Sequence, residues 1–204
     1  AKGVRKTSSR FGARLEPFMV ADLQLYEGKT LDTVSQVEQL ASYGANIVAD
    51  YPKYTAANAM VEAAERLTRE SSNSQQYLLL LGGLRALSGN DHEGSLVLDS
   101  YLLRALSLSG WVPELGSCHS CQSENPVAFS VHTGHVSCSD CSLPGAVKLG
   151  NVGLVHMRNL LAGNWAEVAL SQAATKSNVS SVISAYLQWQ LERGLRSMSM
   201  VERA

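Results

Sequence analysis

Four cysteines, the only four in the chain, stand as Cys118-x2-Cys121, sixteen intervening residues, then Cys138-x2-Cys141. A Cys-x2-Cys knuckle presents two thiolates to one ion, and two knuckles supply the tetrahedral sulfur set that zinc prefers. No other feature constrains the fold as strongly, because this spacing predicts a zinc ribbon closed on a single metal. Four thiolates fill the coordination sphere. The expected Zn2+, one per chain, is therefore structural and leaves no position for water or substrate. Two disulfides would need an oxidising compartment, and the opening residues Ala1-Lys2-Gly3-Val4-Arg5-Lys6 lead into no apolar run of signal-peptide type. Iron in the same ligand set stays open as the chemical alternative. His119, inside the first knuckle, is expected to face solvent. His132 and His135 flank a turn at Thr133-Gly134 and are read as surface residues.

A chain of 204 residues, 45% of them hydrophobic, can bury a real core. The longest apolar run, Tyr77 to Leu81, is far short of the roughly 18 residues a membrane span needs, so no membrane partner is expected and the location is read as cytoplasmic. Net charge is only −1, but it is unevenly spread. Residues 1–14 carry Lys2, Arg5, Lys6, Arg10 and Arg14 without an acid, +5 in all, which leaves −6 on the rest. A basic arm on an acidic body can meet phosphates at one end only. The same pattern also describes a solubilising tail.

Residues 1–54 read as β-rich. Phe18 to Tyr26 alternates in the manner of a strand, Glu27-Gly28-Lys29 marks a turn, and Leu31 to Leu40 resumes with Thr33, Val34 and Val37. About 54 residues are few for a closed barrel, which suggests that the first strands of such a fold are missing from the chain. From Thr55 the period becomes helical. A helix is expected from Ala56 to Glu70, capped by Thr55, and a second from Gln75 to Ser88, capped by Ser74. The second is apolar nearly all round and so expected to be buried, with Gly82-Gly83 marking close packing or a kink. A third is predicted from Glu93 to Leu108, ended by Gly110 and Pro113. Residues 116–145 form the ribbon, with a strand at Val127 to Val131. Short helices follow at Leu154 to Ala162 and Trp165 to Ser171, and a long one from Val179 to Met200 closes the chain.

Catalytic signatures are missing. The sequence has no Gly-rich loop followed by Lys-Ser/Thr, no Gly-x-Ser-x-Gly, no His-Glu-x-x-His and no dinucleotide fingerprint. Glu62, Glu65 and Glu70 read as an exposed helix face and His156 as a packing residue, so the chain is not expected to be an enzyme.

The order of parts is recognisable. Ser9-Arg10-Phe11-Gly12-Ala13-Arg14-Leu15-Glu16-Pro17-Phe18 is followed by Leu25-Tyr26-Glu27-Gly28-Lys29 and Leu31-Asp32. Leu102-Leu103-Arg104-Ala105-Leu106 and Gly110-Trp111-Val112-Pro113-Glu114-Leu115 lead into Cys118. Over nearly its whole length the chain resembles the bacterial DNA repair and recombination mediator RecO, most closely the actinobacterial branch.

The resemblance implies an α+β fold, with a partial amino-terminal OB-fold in residues 1–54 and an all-α domain in 55–204 that carries the inserted four-cysteine zinc ribbon. It implies binding to single- and double-stranded DNA, annealing of complementary strands, and work with RecR and the acidic tail of SSB to load RecA on gaps, in the cytoplasm at the nucleoid. Lys2, Arg5, Lys6, Arg10 and Arg14 would supply phosphate attraction, and Phe11 a stacking platform of the kind OB grooves use. Two readings of other classes remain beside it. One is a zinc-ribbon scaffold whose basic arm binds an acidic protein partner without touching DNA. The other is a thiol redox enzyme.

Overall fold

The computed structural model describes residues 4, 6, 8–69, 73–142, 144–192 and 194–202. Glu70, the last residue of the first expected helix, lies outside them. The chain is α+β and divides into two compact units, Ala1–Tyr51 and Pro52–Ala204.

In the first unit a 3-10 turn, Gly12–Leu15, precedes β1 (Met19–Tyr26), which pairs antiparallel with β2 (Thr33–Ser42). The register runs from Met19 opposite Ser42 to Tyr26 opposite Thr33, with irregularities at Val20/Ala21 and Gln24/Leu25. The turn between the strands is held where Gly28 N–H donates to Asp32 Oδ1 at 3.3 Å. Phe18 and Val37 are buried, while Leu25, Tyr26, Leu31 and Leu40 are exposed. These strands fit an OB-like fold. A short helix, α1 (Gly44–Val48), follows.

The second unit is helical. Its first helix, α2 (Tyr51–Leu67), starts a turn earlier than Thr55. Pro52 explains the difference, since its fixed φ suits a first helical turn and its missing N–H costs nothing there. Thr55 is consequently buried inside the helix, its hydroxyl donating to the Pro52 carbonyl at 3.0 Å. The next helix, α3 (Ser74–Ser88), is capped by Asn73 rather than by Ser74: Asn73 Oδ1 accepts from the N–H groups of Gln75 at 2.9 Å and Gln76 at 3.4 Å.

The expectation that α3 is buried all round is also corrected. Only Gln76, Leu84 and Leu87 are buried, and Tyr77 and Leu78 face outward. Buried Gln76 faces α4 (Gly94–Leu108) as a polar anchor, Nε2 donating to the Ala105 carbonyl at 2.8 Å and to Ser109 Oγ at 3.0 Å. Gly83 does mark close packing, against Met60 and Tyr101.

The centre of this unit is α4, where every residue from Leu96 to Leu103 is buried. It packs on α3, on α5 (Gly150–Ala162) and on α7 (Ala173–Gln190). Two polar side chains of α4 serve the carboxyl end of α5, where the regular helix bonds run out and the Gly163 N–H caps the Leu160 carbonyl. Ser100 Oγ donates to the Leu160 carbonyl at 2.7 Å and Arg104 Nε to the Leu161 carbonyl at 3.0 Å. Between α5 and α7 lies α6 (Trp165–Ala169).

The expected last helix, Val179 to Met200, is two pieces. Helix α7 begins at Ala173 and ends at Gln190, and a separate 3-10 turn spans Ser197–Met200. The break falls at Glu192, whose φ of 56° is left-handed and cannot continue a helix. Glu62 then holds the returning chain: its carboxylate accepts from Arg196 N–H at 2.9 Å, Ser197 N–H at 2.8 Å and Ser197 Oγ–H at 2.6 Å. Glu62 is therefore a bonded residue, not part of a solvated face. Burial pushes its carboxyl up, but the Ser197 and Arg196 bonds and the Arg66 charge outweigh this and leave it below the usual range. Among the described residues no helix is long and apolar enough to cross a membrane.

Candidate metal centre

Between α4 and α5 the chain folds into a ribbon of very short strands. β3 (Ala128–Phe129) lies between β4 (Val136–Ser137) and β5 (Val147–Lys148), antiparallel to both. The expected strand Val127 to Val131 is thus shortened to two ladder residues. Outside the ladder, Val127 N–H reaches the Ser137 carbonyl and Ser130 N–H the His135 carbonyl.

Each knuckle is a tight loop, the first closed by Cys118 N–H to the Ser123 carbonyl and Gln122 N–H to the Cys118 carbonyl, both at 2.8 Å. Gln122 takes a φ of 61° to close it. The two knuckles bring all four sulfur atoms within 4.8 Å of one another. Cys121 Sγ and Cys138 Sγ are 3.7 Å apart, and all four thiols are free. A disulfide would require about 2.05 Å. A tetrahedral ion with Zn–S bonds near 2.3 Å sets its sulfurs about 3.8 Å apart, so the spacing fits zinc. Cys118 and Cys138 are buried, Cys141 is half-buried and Cys121 exposed.

The surroundings favour thiolate at Cys118 and oppose it at Cys121 and Cys141. Backbone N–H groups of Cys121 and Cys138 aim at the Cys118 sulfur and bring its thiol down to about 6. Cys141 is pushed up to about 12, first by its hydrogen bond with Cys138 and then by that with Cys121. Crowded thiols cannot all ionise without a cation, which is the condition a divalent ion relieves.

The ribbon is seated on α7 by aromatic contact. Phe129 meets Tyr186 edge to face at 5.4 Å, and the Tyr186 hydroxyl donates to the Trp111 carbonyl at 3.3 Å. Gly134 closes the seat from the ribbon side, its backbone lying against that hydroxyl.

The histidines differ from expectation in part. His119 is exposed as expected, but His135 is half-buried and stacks on His119 at 3.9 Å. His132 stacks on Trp189 of α7 at 4.1 Å. Sequence reasoning also passed over Glu114, which lies beside His119 and His135. Its spacing from His119 forms no motif, and His135 reaches it only across the ribbon. His156 is a packing residue whose Nδ1 lies 2.8 Å from Ser171 Oγ.

The basic residues belong to the first unit. Lys2 and Arg5 lie outside the described residues. Lys6 and Arg10 are exposed, and the Arg10 guanidinium stands 5.7 Å from the centre of the half-buried Phe11 ring. Arg14 is partly engaged, Nη1 donating to the Val37 carbonyl at 3.1 Å and tying the 3-10 turn to β2.

Residues 1–43 match the family model described as recombination protein O N terminal, and residues 48–199 match recombination protein O C terminal. The chain is 47% identical to the DNA repair protein RecO of Thermobifida fusca, over the whole of this chain and 85% of that relative. It is 46% identical to the RecO of Frankia casuarinae over the same shares, and 45% to that of Streptomyces griseus, covering 86% of the latter. The chain belongs to the RecO family of DNA repair proteins.

Proposed function

We propose that this chain is a non-catalytic mediator of recombinational repair, which binds single- and double-stranded DNA and anneals complementary strands. In the cell it would work in the cytoplasm at the nucleoid, helping with RecR to load RecA on DNA coated by SSB. The observation that carries this reading is similarity over the whole of this chain to proteins named for DNA repair. Annealing asks a protein to hold phosphates and release them, with no bond made or broken by a side chain. The basic segment of residues 1–54 supplies the attraction through Lys2, Arg5, Lys6, Arg10 and Arg14. Arg10 beside Phe11 pairs a cation with an aromatic face, the combination on which bases stack.

Residues 55–204 would carry the metal site. Cys118, Cys121, Cys138 and Cys141 would hold one Zn2+, and their sulfur spacing supports this reading. When bound, the ion supplies cross-linking of the two knuckles and no reaction chemistry.

The test is a salt titration of single-stranded DNA affinity. Log affinity should fall linearly with log salt, with a slope of about 0.7 per phosphate neutralised. Lys6→Glu and Arg10→Glu together should flatten that slope and weaken binding. An affinity unchanged between low and high salt would overturn the reading.

A further inference from the structure

We infer that Glu114, His119 and His135 form a second metal site on the ribbon, for a borderline divalent ion of the Zn2+ type, separate from the four cysteines. Their donor atoms lie within 4.8 Å of one another. Glu114 Oε2 is 2.9 Å from His135 Nδ1 and 3.7 Å from His119 Nδ1. An ion holding such ligands tetrahedrally at about 2.0–2.1 Å sets them about 3.3 Å apart, between the two observed separations. Two imidazoles and one carboxylate suit Zn2+, Ni2+ and Cu2+ and leave a coordination position open.

The backbone beneath the three residues is already fixed. Glu114 N–H donates to the Gly134 carbonyl at 2.8 Å, His119 N–H to the Val136 carbonyl at 2.9 Å, and Ser130 N–H to the His135 carbonyl at 2.9 Å. Ligands mounted on a fixed frame need little ordering when an ion arrives. His135 Nδ1 is shielded from water and makes no hydrogen bond, with Glu114 Oε2 2.9 Å away. The two rings lie stacked, 12° from parallel, with both Nδ1 atoms turned to one carboxylate. In-plane lone pairs of stacked rings run parallel. Binding therefore opens the stack, and His119, with 58% of its side chain exposed, has room to swing.

The full chain, with its cysteine site loaded, is titrated with Zn2+ by calorimetry and with Co2+ by absorption. One further ion should bind, and with Zn2+ held at the cysteines the cobalt should show d–d bands without the sulfur charge-transfer absorption that thiolates give. His135→Ala and Glu114→Gln should each weaken that ion at least about tenfold, since loss of even an outer partner of a metal ligand costs 10- to 100-fold. The cysteine metal content of each variant reports whether the ribbon is intact. His119→Asn gives a milder second probe. Saturation at the cysteine site alone, or a further ion held equally well by intact variants, would overturn the inference.

Discussion

A Cβ added to Gly134 would stand 2.6 Å from the Tyr186 hydroxyl, and the residue's φ of +74° is one that side chains rarely adopt. Gly134→Ala should therefore cost about 2 kcal/mol or more, combining left-handed strain with overpacking, and urea unfolding will read it. His156 sets a pH dependence. Burial, and then the Lys176 charge, lower its pKa from the ordinary 6.5. As pH falls below 6.5 the unfolded imidazole takes up a proton before the folded one does, so the folded state loses stability towards acid and keeps it above that value. Unfolding midpoints measured from pH 7.5 down to 5.5 should fall, and His156→Gln should flatten that limb. Glu62 acts in the same direction in a more acidic window, its contribution present above 4.5 and lost as pH drops through its lowered folded value. The burial of His156 was legible as packing. The role of Glu62 was not, because its three partners lie more than a hundred residues downstream.

At the scale of elements, β1, β2 and α4 form where their local patterns place them, although β1 does not bury the alternate residues Leu23 and Leu25, and the knuckles announce themselves by spacing alone. Where sequence and structure part, tertiary context is the reason. Helix α3 is rich in leucine yet buries one face, because among the described residues α4 is the only helix that packs extensively on it, and the bond from Gln76 to Ala105 fixes which side turns inward. Helix α7 ends at Gln190 where the backbone of Glu192 turns left-handed, a conformation that glutamate does not signal in sequence. The ribbon strands are too short to show a period and depend on the knuckles. Stripping the ion with a chelator should therefore melt the ribbon and open the cysteines to labelling, while most helical circular dichroism stays. Trp189 fluorescence should change at the same time, because its cover, His132, belongs to the ribbon. Thiols that label at the same rate before and after chelation would contradict the metal assignment.

At the scale of the molecule, the two compact units invite separation. Residues 52–204 expressed alone should keep their helical spectrum and the zinc at their cysteines but lose most salt-sensitive DNA affinity, which filter binding or fluorescence anisotropy will show. Undiminished affinity would move the DNA surface out of the amino-terminal segment. In the helical unit much depends on Tyr186. Its ring receives Phe129, its hydroxyl holds the Trp111 carbonyl, and Gly134 clears the way. Phenylalanine in its place would keep the socket and drop the latch, so that a lobe bolted to the helices would instead rock on its hinge.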